Sequence, residues 1–136
     1  MSNAKTLDYV RWLIAVQVFR VVGVLFLVEF QRGNLPAAFA IPAGIGDILV
    51  GITAPIVAFS LRRSGALGWA VALTWNALGL ADLVYAVSVG LLAGPTFILN
   101  SYLFIVPAFF VPLAVVLHLA TIVLLARGIR QRFRTV

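Results

Sequence analysis

Asp47 and Asp82 are the residues of this chain best placed to do chemistry, because each is a carboxylate set inside a run of apolar residues. Residues 44–53 read GIGDILVGIT and residues 79–88 read GLADLVYAVS, and the two align without gaps: small, branched, small, Asp, two branched, a variable position, small, branched, hydroxyl. Glycine stands three residues before each acid and Gly or Ala four after it, so Gly44, Asp47 and Gly51 share one helix face, as do Gly79, Asp82 and Ala86. Small residues beside a polar one let a second backbone approach closely, the packing by which helices associate in lipid. The similarity also has a plainer origin, since Gly, Ala, Leu, Ile and Val dominate apolar helices of any ancestry. A pair of carboxylates in low dielectric has a definite chemistry: if they are close, one is expected to hold a proton, because like charges there resist joint ionisation.

Counting along the chain sets the two acids level. Asp47 lies 18 residues before Gly65 and Asp82 lies 17 after it, so a hairpin turning at Gly65 places both roughly 20–25 Å from the side of that turn. The same count puts Arg20, Asn76 and His118 at about 12–15 Å from that side, with Gln17 one turn below Arg20 and Thr121 one turn below His118. Two stacked polar layers are therefore expected. Charged groups at mid-membrane cost about 2.5–3.5 kcal/mol each on insertion scales, so they face the bundle interior and find partners. Apart from Arg11 near the start of the first run, Arg20 is the one cation inside the apolar runs and is expected to reach Asp82, leaving Asp47 with no cation and only the positive end of its own helix. Asp47, Asp82, Arg20, Asn76, His118 and Gln17 are thus the candidate binding residues. Plainer roles stand beside this one: a hydrated Asp47 near the outer boundary, a structural ion pair for Arg20 and Asp82, an interhelical hydrogen bond for His118.

The elements that must position these groups follow from composition. The chain has 136 residues, 63% hydrophobic and 10% charged, against about 25% charged in soluble domains. A water-soluble fold of this size could not cover so much apolar surface, so lipid is the expected solvent and the cell membrane the expected location. The fold class is all-α: an integral membrane bundle of four transmembrane helices forming a single domain, 1–136. A span needs about 20 mostly apolar residues, and the runs 9–30, 42–61, 67–92 and 100–126 supply them. Pro42 suits a first helical turn. Gly33-Asn34-Leu35-Pro36, Arg62-Arg63-Ser64-Gly65 and Gly94-Pro95 separate the runs, and Pro55, Pro107 and Pro112 fall inside them, where kinks are expected.

Lys5, Arg11, Arg62, Arg63, Arg127, Arg130, Arg132 and Arg134 lie on one side of an alternating path and Arg32 alone on the other. This bias sets both termini in the cytoplasm. The basic tail, 127–136, is expected to rest on anionic lipid headgroups. Nucleic acid is excluded as a partner, because the basic residues sit at the ends of apolar runs and not on one solvated face. The first run is too long for a cleaved signal and carries Gln17 and Arg20. Tyr9, Trp12 and Trp69 are expected at the interface, Trp75 and Tyr85 deeper, and Glu29 and Arg32 at the outer boundary with no special role.

With no cysteine, one histidine and four acids, neither a disulfide nor a metal or cofactor site is expected. No hydrolase elbow, phosphate loop, zinc helix or dinucleotide fingerprint is present, so no residue is assigned to catalysis. Two functional classes follow. One is a proton-coupled carrier of a small solute, its prolines permitting rocking and a homodimer needed to enclose a pathway. The other is a non-catalytic membrane module that binds a partner, a lipid or a small apolar ligand, its polar residues serving helix packing.

Overall fold

The computed structural model describes residues 3–62, 65–94 and 102–133, with the side chains of 5–62, 65–94 and 102–130. Arg63, Ser64, Pro95, Asn100 and Arg134 lie outside the described residues, and the Arg132 side chain lies outside the described side chains. The described part is all-helical, and four helical stretches are long and apolar enough to cross a membrane: Lys5–Gln31, Ala37–Ser60, Gly65–Leu92 and Tyr102–Arg130.

The first stretch is not one regular helix. It runs as α1 (Asn3–Ala15), a 3-10 segment (Val16–Gly23) and α2 (Val24–Gln31). Its buried positions explain why. Gln17, Arg20, Gly23, Phe26 and Glu29 are buried at a strict spacing of three. An α-helix drifts by about 60° for each such step, whereas a 3-10 helix has about three residues per turn and keeps i and i+3 in line. The tighter winding holds Gln17, Arg20 and Gly23 on the inner face together.

Gly33 (φ 77) turns the chain after α2, and α3 (Ala37–Ser60) starts behind Pro36 in extended conformation. The helix thus begins five residues earlier than the hydropathy run beginning at 42 implies, and Pro42 lies inside it beyond the first turn, as Pro55 does. The third helix, α4 (Gly65–Leu92), ends just before Gly94 (φ 90), whose left-handed backbone is the usual way to stop a helix. The last stretch opens with a 3-10 turn (Tyr102–Phe104) and a π segment (Val106–Phe110) before α5 (Val111–Phe133). Pro107 and Pro112 each lack the amide hydrogen that an α ladder would need, and the widened π turn lies where both interrupt it.

Each span packs on its neighbours in chain order, and α1 closes the ring by packing on α5. Two apolar clusters form inside. One joins Val10, Ile14, Val57, Leu61, Trp69, Trp75 and Leu125 near the terminal end of the bundle; the other joins Phe26, Leu35, Phe39, Ala43, Leu103 and Val106 at the opposite end. Between them lie the buried polar residues Gln17, Arg20, Asp47, Asn76, His118 and Thr121. The outside is apolar: Leu49, Ile56, Leu78, Val84 and Val116 are each more than half exposed. Trp12 and Tyr9 also face outward. Trp69 is buried, its ring filling the space where Gly128 has no side chain, and Tyr85 is more than half exposed on the outer face of α4 and lines no packing surface of the bundle interior.

Candidate functional site

The Arg20 guanidinium is 2% exposed and stands at the centre of the bundle. Nε donates to Asp47 Oδ1 at 2.7 Å, and Nη2 donates to Asp82 Oδ2 at 2.6 Å while also lying 2.5 Å from Asp47 Oδ1. One cation therefore holds both acids. Arg20 reaches Asp82 as expected, but the expectation that this leaves Asp47 without a cation is wrong. It treated Arg20 as a point charge on one side, whereas the planar fork presents several donors and spans α3 and α4 at once. Asp47 is also not at a hydrated boundary: it is 8% exposed.

The third guanidinium nitrogen continues the network. Nη1 donates to the Gly79 carbonyl at 3.3 Å and to His118 Nε2 at 3.2 Å. Because arginine is always a donor, Nε2 accepts, and the ring is neutral with its hydrogen on Nδ1. That hydrogen is donated to Asn76 Oδ1 at 2.9 Å, and Asn76 Nδ2 donates onward to the Ala72 carbonyl at 2.7 Å. Gln17 approaches the same Nδ1 at 3.3 Å through its amide nitrogen, while its Oε1 is, among the described residues, a buried atom with no hydrogen-bond partner. A half-turn of the amide would let Oε1 share the Nδ1 hydrogen that Asn76 already accepts. Thr121 donates to the Leu117 carbonyl in its own helix and, among the described residues, joins no partner across the bundle.

The two expected polar layers are thus one. The count along ideal helices separated them by about 10 Å, but the long Arg20 side chain bridges that interval. All six candidate residues, Gln17, Arg20, Asp47, Asn76, Asp82 and His118, are linked through the guanidinium and the imidazole. The imidazole also stacks at 5.4 Å from the Trp75 ring, whose Nε1 donates to Thr53 at 2.8 Å.

The glycines around the acids make this approach possible. A Cβ on Gly46 would overlap the Asp82 carboxylate, one on Gly23 would overlap Asp47, and one on Gly79 would overlap the His118 ring. A Cβ on Gly51 would stand 2.7 Å from the Val21 amide nitrogen. In both copies of the repeat the glycine face therefore receives a neighbouring chain, the first span against α3 and His118 of α5 against α4.

An apolar cavity of about 210 Å³ reaches the site from the end opposite the termini. Buried Phe26, Phe39, Ala43, Asp47 and Leu83 line its inner part, and exposed Val87, Leu91, Phe104 and Ala108 line its mouth between α4 and the last span. Asp47 is its one charged lining residue. Among the described residues Asp47 Oδ2 has no hydrogen-bond partner, since both contacts from Arg20 go to Oδ1. No group of three potential metal ligands converges among the described residues, and Arg20 itself fills the space between the two acids.

A second polar cluster was missed by reading Glu29 as an ordinary boundary residue. Glu29 is 4% exposed and accepts from Arg32 Nη1 at 2.8 Å, Asn34 Nδ2 at 2.6 Å and the Tyr102 hydroxyl at 2.8 Å. It joins the first span to the start of the last. Arg32 three residues on and Asn34 in the following turn were the available signal.

Residues 1–126 match the family model of a domain of unknown function, DUF8737, and the chain belongs to that family. No curated protein and no solved structure matches it.

Proposed function

We propose, from the site alone since the family carries no assigned activity, that the protein is a multi-pass membrane protein that carries a small solute in exchange for a proton. The observation that carries the reading is a charge imbalance: two carboxylates, Asp47 and Asp82, share one guanidinium, and Asp47 lines an apolar cavity. In low dielectric the surplus negative charge calls for a balancing proton or a bound cation, because an uncompensated buried charge is costly. Exchange of one for the other is the elementary act of a proton-coupled carrier. Arg20 cannot give up its protons, so the chain from the acids to His118 is not a proton wire and the site has to exchange from the acids' own side.

The membrane reading rests on the apolar exterior and on the four long helices. The excess of positive charge beside the termini sets them in the cytoplasm, with Arg127 and Arg130 on anionic headgroups. A homodimer would complete the enclosure of a solute path in a unit of this size. The test uses purified protein in vesicles loaded with a pH-sensitive dye, challenged with a panel of amines, alcohols and sugars under an imposed pH gradient. Solute-dependent proton movement that disappears in Asp47→Asn and in Asp82→Asn is the expected result. No such movement with any member, or undiminished movement in both variants, overturns the reading.

A packing role has one observation of its own: all three guanidinium nitrogens are used, and Gly23, Gly46 and Gly79 are shaped around the network. Under that reading Asp82→Asn loses the fold in detergent and regains it when Arg20 is also neutralised.

A further inference from the structure

We infer that the cavity between α4 and the last span takes a compact apolar amine, its nitrogen paired with Asp47 Oδ2 and its body among Phe26, Phe39 and Phe104. This rests on the proposed carrier reading only for the location of the site; binding itself needs no transport. Three observations converge on this ligand class. Asp47 is 8% exposed, lines the cavity, and among the described residues keeps one carboxylate oxygen without a partner. The remaining lining is apolar and rich in aromatic rings, which suit a hydrocarbon body and attract an ammonium group through their faces. The third observation is size. An apolar cavity of about 150 Å³ holds benzene, so one of about 210 Å³ takes on the order of eight or nine non-hydrogen atoms.

The charge count selects an amine over a neutral ligand. With Arg20 the two acids leave one negative charge, which either a proton or an ammonium cancels. The mouth is lined by exposed apolar residues, Val87, Leu91, Phe104 and Ala108, so a ligand arriving through lipid arrives uncharged, since a charge at that depth is costly. At the site the amine nitrogen takes the proton held by the acids. The carboxyl O–H bond breaks, the N–H bond forms, and the bound pair is an ammonium facing a carboxylate, with no net change in charge.

The probe is radiolabelled phenethylamine, with nine non-hydrogen atoms, against purified protein in detergent. Saturable binding is expected, displaced by unlabelled cyclohexylethylamine and not by 2-phenylethanol, which matches the probe in shape and lacks the basic nitrogen. Asp47→Asn keeps the size of the side chain and an acceptor for Arg20, and is expected to bind at least about tenfold more weakly, about 1.4 kcal/mol. Ala108→Phe, which narrows the cavity mouth from the last span and not from a helix bearing either acid, is expected to abolish binding while leaving elution on a sizing column unchanged. Absence of saturable binding, equal displacement by the alcohol, or unchanged affinity in either variant overturns the inference. Proton-linked flux of a non-amine alongside no amine binding would sink the ligand class and leave the carrier; amine binding without any flux would do the reverse.

Discussion

Arg20 carries the heaviest electrostatic burden of any residue, and its removal separates structure from function most sharply. Arg20→Met leaves the buried Asp47 and the partly buried Asp82 with no cation, and breaking a buried pair costs about 3–5 kcal/mol. The expected outcome is loss of a monodisperse species in detergent. The variant that combines Arg20→Met with Asp47→Asn and Asp82→Asn removes the unpaired charges and is expected to recover most of the thermal stability, read as the unfolding midpoint. Glycine substitutions test the packing around the same centre. Gly46→Ala puts a methyl group into the Asp82 carboxylate, with an overpacking cost of about 1–3 kcal/mol. Gly33→Ala meets no atom within 4 Å and bears only its left-handed backbone, about 1 kcal/mol. Denaturation of the two side by side should rank them in that order, and a smaller effect at Gly46 would show that α3 and α4 are not held so close. The identity of the polar residues was legible in the sequence because an acid or an arginine in an apolar run is conspicuous. The Arg20–Asp82 pair was legible too; that the same guanidinium also holds Asp47 was not, since residue depth along a helix says nothing of how many partners a forked side chain spans.

At the scale of the element, the positions of the four long helices were readable because hydropathy is a signal summed over some twenty residues. What was not readable was their local winding. Burial at 17, 20, 23 and 26 depends on the 3-10 segment, and no residue in VQVFRVVG announces it, since its cause is the packing of Gly23 and Arg20 on α3. A register test follows. One alanine inserted between Ile14 and Ala15 rotates Val10 and Ile14 by about 100° relative to Arg20, so the terminal apolar cluster and the polar centre can no longer face inward together. Loss of the folded species is expected, and a stable, monodisperse insertion variant would contradict the role given to the 3-10 segment. The Glu29 cluster belongs to this scale also, because it ties the end of α2 to the start of the last span through Tyr102. Tyr102→Phe is expected to raise hydrogen exchange over residues 102–110, next to the cavity mouth, and to leave 114–125 unchanged. Exchange that rises equally in both segments would mean that the hydroxyl supports the whole helix and not its entry.

For the molecule as a whole, the decisive relation is between an apolar exterior and a polar centre set between two apolar clusters. The four long helices run from 24 to 29 residues, or ~36–43 Å at 1.5 Å per residue, which exceeds the ~30 Å hydrocarbon thickness and leaves room for tilt. Their ends carry the information on orientation: Lys5, Arg11, Arg62, Arg127 and Arg130 mark one side, and Arg32 the other. The chain contains no cysteine, so single cysteines report sidedness without background. A membrane-impermeant maleimide is expected to label Gln31→Cys in intact cells, because residue 31 ends the first span on the side away from the termini and is exposed. Lys5→Cys and Arg130→Cys should react only after the membrane is opened. Labelling of all three in intact cells would mean that the helices do not cross, and the reverse pattern would mean that the termini lie outside. Under the proposed carrier reading, the same measurement assigns the compartment nearer to the Asp47 cavity, which lies toward the Gln31 end of the bundle.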